Sequence, residues 1–365
     1  MIDRRSFIRN LTLITANLYT RFKVVNNINS NLQLMAAKAG LQYGSASDVA
    51  FSNAPPEYSR IFLNECGLYA PIWSWKNSFP SPDSTTSAWE DLNIQFAKKD
   101  NLKLTGGHLL WHSFLPDWMN DDNDITIAIS EHIKIMGSLY GLNCFSWNVV
   151  NEAIEPNDKN IMGLRNSVFL KKLGSSFFDL AFMQAKTVMP NVVRVYNDYG
   201  MEADDTYSES RRTSLLKLLD YFKKNEIPVD AIGLQSHLKI NHTTFNENLY
   251  RNFLKEISDR GYKIMITELD VFDFDTTPAD ISGRDNEVAA LYKQFLSAAL
   301  DERAVISVVT WGLSDKYSWY NLRKILRADK ASCRPLPFDE NLMRKPAYYS
   351  ILKAFEQAPK RKFIH

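Results

Sequence analysis

WNVVNEAIEP, residues 147–156, decides how the rest of the chain is read. An apolar run from Cys144 to Val150, broken only by Ser146 and Asn148, stops abruptly at Asn151 and Glu152. Such a run is the mark of a strand buried on both faces, the kind found in parallel sheets. A carboxylate at the carboxyl end of such a strand stands where α/β barrels put their chemistry. A second strand, KIMITELDV (263–271), repeats the pattern with Glu268. Two such acids suggest a pair.

Outward from these strands, apolar segments alternate with helix-length amphipathic ones from Gly40 onward. Strands are expected at 40–46, 67–72, 102–110, 143–151, 192–198, 230–237, 263–270 and 305–312. Helices are expected near 57–66, 86–99, 124–140, 165–189, 204–225, 245–260, 284–301 and 340–357. This alternation specifies an α/β fold, a parallel sheet closed into a single (β/α)8 TIM barrel. Pro190-Asn191 closes one helix, Asn225 and Pro228 another, and Gly261 stands where a left-handed cap is wanted. The acidic run Asp121-Asp122-Asn123-Asp124 suits a helix N-terminus. No repeat or linker divides the chain, so residues 36–365 are expected to form one domain.

The chain has 365 residues, 45% hydrophobic and 23% charged, enough for a large core without staples. Its 43 basic and 42 acidic residues leave a net charge of +1, which removes the electrostatic case for nucleic acid or an anionic membrane as partner. No stretch reaches the roughly 18 apolar residues of a membrane span. Cys66, Cys144 and Cys333 are odd in number and lack CxxC spacing, so they read as buried small side chains, with no disulfide framework. Eight Trp suit sugar faces as well as a core. Residues 1–35 are set apart as a leader: Arg4-Arg5 and the following LTLITANLY (11–19) resemble a twin-arginine export signal. Export is the expectation, with the cytoplasm as the destination if the leader does not function.

Two carboxyl groups across a barrel mouth suit glycoside hydrolysis. One acid protonates the departing oxygen, and the other carboxylate attacks or activates water. Metal binding is the competing use, but His237 and Asp270 come with no HxH or HExxH spacing; neither metal nor cofactor is expected. Asn151 can hydrogen-bond a ring hydroxyl. Gln235 and His237 alternate on strand six and face the same way, with Ser236 turned away. Trp311, closing strand eight, can floor a pyranose ring.

Taken in order, WNVVNEAIEP, YNDYG (196–200), IGLQSHL (232–238), ITELDV (266–271), VVTWGLSDKYSW (308–319) and PLPFDENLMRKPAYYSIL (335–352) resemble the signatures of glycoside hydrolase family 10, whose usual activity is endo-1,4-β-xylanase. The resemblance spans roughly residues 40–355. It implies that Glu152 is the acid/base, Glu268 the nucleophile, His237 the imidazole holding that nucleophile, and Asp270 the carboxylate behind the histidine. Gln235, Asn151, Trp111, Trp311 and Trp319 match sugar-contacting positions, and Asn197 and Tyr199 match polar groups on the leaving side. A monomer performing retaining double displacement on xylan or xylo-oligosaccharides would follow, with carboxyls about 5–5.5 Å apart. Glu152 would then need a pKa above its usual value of about 4.3, raised by burial and by Glu268.

Two departures from the family pattern stand out. Its PENxxKW-like string is here PIWSWKN (71–77): Lys76 remains as a ligand for a sugar hydroxyl, but Ile72 and Trp73 cannot make the same hydrogen bonds. The distal donor-side subsite is expected to be weakened or rebuilt by stacking on Trp73 and Trp75. The pattern GHTLVWH becomes TGGHLLWHS (105–113), so Gly107 takes the place of a sugar-binding histidine. His108 replaces it only if a bulge reverses its facing. Trp147 reads as barrel core. Two alternatives remain open: the same mechanism on short xylo-oligosaccharides or aryl β-glycosides, and a glycan-binding barrel that has lost catalysis.

Overall fold

The computed structural model describes residues 30–47, 54–73, 75–78, 88–120, 124–141, 144–273, 280–325, 327 and 329–362. Its strands are β1 (Gln42–Ser47), β2 (Leu68–Pro71), β3 (Lys103–Gly106), β4 (Leu110–Trp111), β5 (Cys144–Asn151), β6 (Val193–Asp198), β7 (Ala231–Leu234), β8 (His237–Lys239), β9 (Lys263–Phe272) and β10 (Val305–Thr310). All pairings are parallel. They run β1–β2–β3–β5–β6–β7–β9–β10 and close from β10 back onto β1 through Gln42↔Ser307 and Ser45↔Thr310. The result is a closed eight-stranded barrel with its covering helices outside. The short strands β4 and β8 extend the wall, on β5 and β9 respectively.

The strands are buried on both faces, so most of their side chains are apolar, and the polar ones among them, such as Gln42, Ser45 and Ser47 of β1, are buried as well. Leu68, Ala70, Val195, Ala231, Met265 and Ile306 belong to one apolar cluster, while the larger cluster joins strand residues to the helices. Trp147, 1% exposed, lies in that larger core as expected.

Three local findings revise the sequence expectation. The helix expected at 165–189 is two helices, Val168–Leu173 and Ser176–Val188, because Gly174 takes φ +60° and ends the first. The last helix begins at Pro346, later than expected, since a proline at the first turn is pre-set for a helix start. A short helix, Leu32–Lys38, lies partly inside the segment set apart as leader. Leu32 and Ala36 are fully buried, and the Leu32 N–H donates to the Glu65 carboxylate at 3.0 Å. Residues 32–35 therefore belong to the folded body, while residues 1–29 of the expected leader fall outside the described residues. Asp124 caps the helix Ile125–Tyr140 by accepting from Thr126 N; Asp121, Asp122 and Asn123 are not among the described residues. The three cysteines are free, and Cys144 is only partly buried.

Candidate active site

The barrel's strands are not regular at their carboxyl ends, and the irregularities build the site. β5 shifts register against β6 between Asn148 and Val150, and β9 shifts against β10 in the stretch holding Thr267 and Glu268. Each shift re-aims side chains at the mouth. Glu152, just past β5, has φ +56°, a left-handed conformation unusual for a non-glycine residue. That turn lets Glu152 follow Asn151 into the same cavity, where straight extension would send successive side chains to opposite faces.

Glu152 accepts from Gln235 Nε2 at 2.9 Å on one carboxyl oxygen and from Trp111 Nε1 at 2.8 Å on the other. Burial raises its pKa, and the negative charges of Asp198 and Glu268 add to the rise; the Gln235 and Trp111 hydrogen bonds oppose it. Asp198 contributes more than Glu268, a source the sequence reading did not name. Glu268, 4% exposed, accepts from Asn197 Nδ2 at 2.9 Å and faces His237 Nε2 at 3.3 Å. His237 Nδ1 donates to Asp270 at 3.0 Å, and Asp270 also accepts from Trp319 Nε1 at 2.8 Å and Tyr320 at 3.3 Å. Burial alone would depress the imidazole; the Asp270 and Glu268 carboxylates outweigh it and raise its pKa to about 10. His237 is thus a cation at neutral pH, clamped between the Glu268 and Asp270 side chains.

A chain of hydrogen bonds joins the two acids. It runs from Glu152 to Gln235, from Gln235 to Asn151 Oδ1 at 3.4 Å, from there to Asn197 Nδ2 at 2.9 Å, and on to Glu268. Asn197 is fully buried and also accepts from Thr267 at 2.6 Å, so it orients the surroundings of Glu268 from within the barrel wall, where it was expected among polar groups on the leaving side. Asn151 is different: its Nδ2, in a residue 2% exposed, has no partner among the described residues. A buried donor left open at the mouth is suited to a ligand hydroxyl.

The expected alternation of Gln235 and His237 is corrected. β7 ends at Leu234 and β8 starts at His237; between them Ser236, fully buried, takes φ +61°. Both flanking side chains reach the mouth because the strand breaks, not because it continues.

The strand-three region is also broken, between Gly106 and Leu110, and this brings His108 to the pocket with Trp73, Gly107, Asn148 and Trp311. The His108 ring stands 5.0 Å from that of Trp111. A Cβ at Gly107 would lie 2.7 Å from Trp73 Cβ. The backbone at residue 73 therefore comes so close that position 107 has no room for any side chain, and glycine there follows from that close approach. Trp73 is 3% exposed and packs on Trp147 and Tyr140, and Trp75 stacks on His132 at 4.1 Å. Both are core residues, which corrects their expected role as sugar platforms. Lys76 is not brought to the pair; its ammonium meets Asp117 at 2.6 Å in the open. Trp311 lines the pocket, with its ring 6.2 Å from His237. Trp319 is partly exposed, tied by its indole N–H to Asp270 and carrying Arg323 over its ring at 5.4 Å.

Sequence reasoning missed Asp198, Arg165 and Arg211. Asp198 was within a quoted motif, but its buried partners are remote in sequence. Its carboxylate accepts from Arg211, Tyr196, Tyr199 N and Ile154 N. Tyr199, expected near the leaving side, accepts from Arg165 at 2.8 Å and lies under Arg211 at 4.1 Å. Among the described residues, no group of three His, Cys, Asp or Glu side chains could hold a metal ion, and no helix is long and apolar enough to cross a membrane.

Comparison with known proteins gives a consistent likeness. The model of "Glycosyl hydrolase family 10" matches residues 31–354. An endo-1,4-beta-xylanase 2 of Aureobasidium pullulans is 31% identical over 295 residues, 77% of each chain. An endo-1,4-beta-xylanase B of Thermotoga neapolitana is 26% identical over 343 residues, 91% of this chain and 93% of that one. Among solved structures, xylanase 10B of Thermotoga petrophila RKU-1 in complex with xylobiose aligns with a TM-score of 0.80 and 26% identity, over 90% of this chain and 98% of that one.

Proposed function

Because the chain belongs to glycosyl hydrolase family 10, we propose that it is an endo-1,4-β-xylanase that cleaves β-1,4-xylosidic bonds by retaining double displacement. The observation that carries this reading is the linkage of Glu152 and Glu268 through Gln235, Asn151 and Asn197 at one barrel mouth.

In the first step, Glu268 attacks the anomeric carbon as Glu152 gives its proton to the glycosidic oxygen. The C–O bond to the leaving sugar breaks and a glycosyl ester on Glu268 forms. The raised pKa of Glu152 keeps that proton in place beforehand. His237 and the Asn197 amide hold Glu268 aimed at the anomeric carbon. Once Glu268 is esterified its charge is gone, one cause of the raised pKa disappears, and Glu152, having given up its proton, stands as a carboxylate able to act as base. It then takes a proton from water, whose oxygen attacks the anomeric carbon and releases Glu268. The open Asn151 amide donates to a sugar hydroxyl, and Trp311 and His108 line the ring.

The test is hydrolysis of β-1,4-xylan followed by NMR of the first-formed anomer, with Glu268→Ala as control. Retained β configuration and loss of activity in the variant are expected; an α product would overturn the double displacement, and an active variant the site. Export fits a polymeric substrate too large to enter a cell. Replacing Arg4 and Arg5 by Lys should then retain the protein inside.

A further inference from the structure

The conformation of Glu152 requires a cause that the catalytic constellation does not supply. A left-handed residue other than glycine costs roughly 1–2 kcal/mol and persists only where its surroundings over-determine it. From one side, Glu152 N donates to Asn197 O at 2.9 Å, which fixes the amide against β6. From the other, the Glu152 carbonyl accepts from Arg165 Nε at 2.8 Å.

Arg165 reaches back along the loop that leaves the acid. Its own N–H donates to Ala153 O at 2.7 Å, and its Nη2 to Ile154 O at 3.3 Å and Tyr199 Oη at 2.8 Å. A second guanidinium meets the same loop: Arg211, fully buried, donates to Ile154 O at 2.9 Å and Tyr199 O at 2.7 Å. It also pairs with Asp198, whose other oxygen accepts from Ile154 N at 3.1 Å. The backbone carbonyls of Glu152, Ala153 and Ile154 are therefore all held by these two arginines. Glu155 lies 3.7 Å from Arg165 and 3.8 Å from Arg211, which with Asp198 balances the two cations. None of the hydrogen bonds made by either arginine goes to the Glu152 carboxyl.

We propose that Arg165, braced by Arg211 and Asp198, is a positioning residue that holds Glu152 in its left-handed turn and thereby governs proton delivery to the leaving group. The proposal rests on the acid role assigned to Glu152 above. It requires that loss of Arg165 harm substrates in proportion to their need for that proton.

The experiment compares kcat/KM, which reports bond cleavage, for β-xylobiosides of phenol and of 2,4-dinitrophenol. Phenolate leaves poorly unless protonated; dinitrophenolate leaves unaided. General acid catalysis contributes roughly 10²–10⁴-fold, so Arg165→Met should lose at least about tenfold on the phenyl substrate and less than about threefold on the dinitrophenyl one. Arg165→Lys, which can still donate to one carbonyl, should recover part of the phenyl activity. If Arg165→Met does not fold, Arg165→Lys carries the comparison, with the same split at smaller size. Equal loss on both substrates, or no loss on either, would overturn the proposal. Wild-type protein inert toward both would instead overturn the underlying reading.

Discussion

As the acid/base proposed above, Glu152 must hold a proton at working pH and still give it up, and its surroundings oppose one another on this point. Burial and neighbouring charge favour the acid form, whereas the Trp111 and Gln235 hydrogen bonds favour the carboxylate. Removing a donor should therefore raise the pKa further. In Trp111→Phe, the alkaline limb of the kcat/KM profile should move to higher pH, by up to about one unit, since a hydrogen bond to a charged group is worth roughly 1.5 kcal/mol. An unmoved limb would mean the indole does not act on the acid. His237 has the opposite sign. Its folded pKa is raised to about 10, so its contribution to stability is complete below the ordinary value of 6.5 and lost as pH rises through 10. The unfolding midpoint of wild type should fall more steeply between pH 7 and 10 than that of His237→Gln; parallel curves would contradict the clamped cation. At this scale the sequence was informative where chemistry is local to a motif. The structure brings Glu152, Glu268, His237 and Asp270 to one barrel mouth, whereas Arg165 and Arg211 carry no local signal because their partners, backbone carbonyls together with Tyr199 and Asp198, lie in other segments.

The strands were legible because burial on both faces leaves segments rich in apolar residues between the amphipathic helices, although polar residues interrupt β1, β5 and β6. Their ends were not, because a bulge or break is a matter of one or two dihedral angles. Ser236 illustrates the limit: nothing in GLQSHL announces φ +61°. The break between Gly106 and Leu110 was expected only as a condition on His108, and the neighbour that crowds Gly107 there, the backbone at Trp73, lies on another strand end. β7 offers a test of how tightly the elements fit. A Cβ on Gly233 would lie 2.3 Å from Asn197 Oδ1, so Gly233→Ala must displace the amide that donates to Glu268. Losing that charge-assisted bond, worth roughly 1.5–3 kcal/mol, predicts a fall in kcat/KM of about 10- to 100-fold with the fold retained. Wild-type turnover in this variant would show that the nucleophile does not need Asn197.

Over the whole molecule, closure of the barrel depends on the chain's last third returning to its first. The segment after β10 does this at Glu65, whose carboxylate accepts from Arg344 at 2.7 Å and Tyr348 at 3.1 Å. Within that segment, Lys345, 3% exposed, donates to Asp315 at 2.8 Å and to Arg334 O at 2.7 Å, and lies 3.1 Å from Asp285. Lys345→Met would leave Asp315 buried without its cation, at a cost of about 3–5 kcal/mol. Chemical denaturation should register this as an earlier midpoint, and a change under about 1 kcal/mol would mean the network is neutral to stability. The eight-unit count could be read from periodicity alone, whereas the helix Leu32–Lys38 could not. It is short, adjoins a segment of leader-like composition, and is held by Glu65 from a distant helix.

The dislocation at Ser236 has one consequence for how such a catalyst can change. A single left-handed residue separates the side chain that steadies the proton donor from the one that steadies the attacking group. Any drift of that tripeptide tilts both partners together, like two pans on one beam. In the double displacement proposed above, the glycosylation and deglycosylation steps would therefore be geared to each other, and substitutions around residue 236 should slow them in concert.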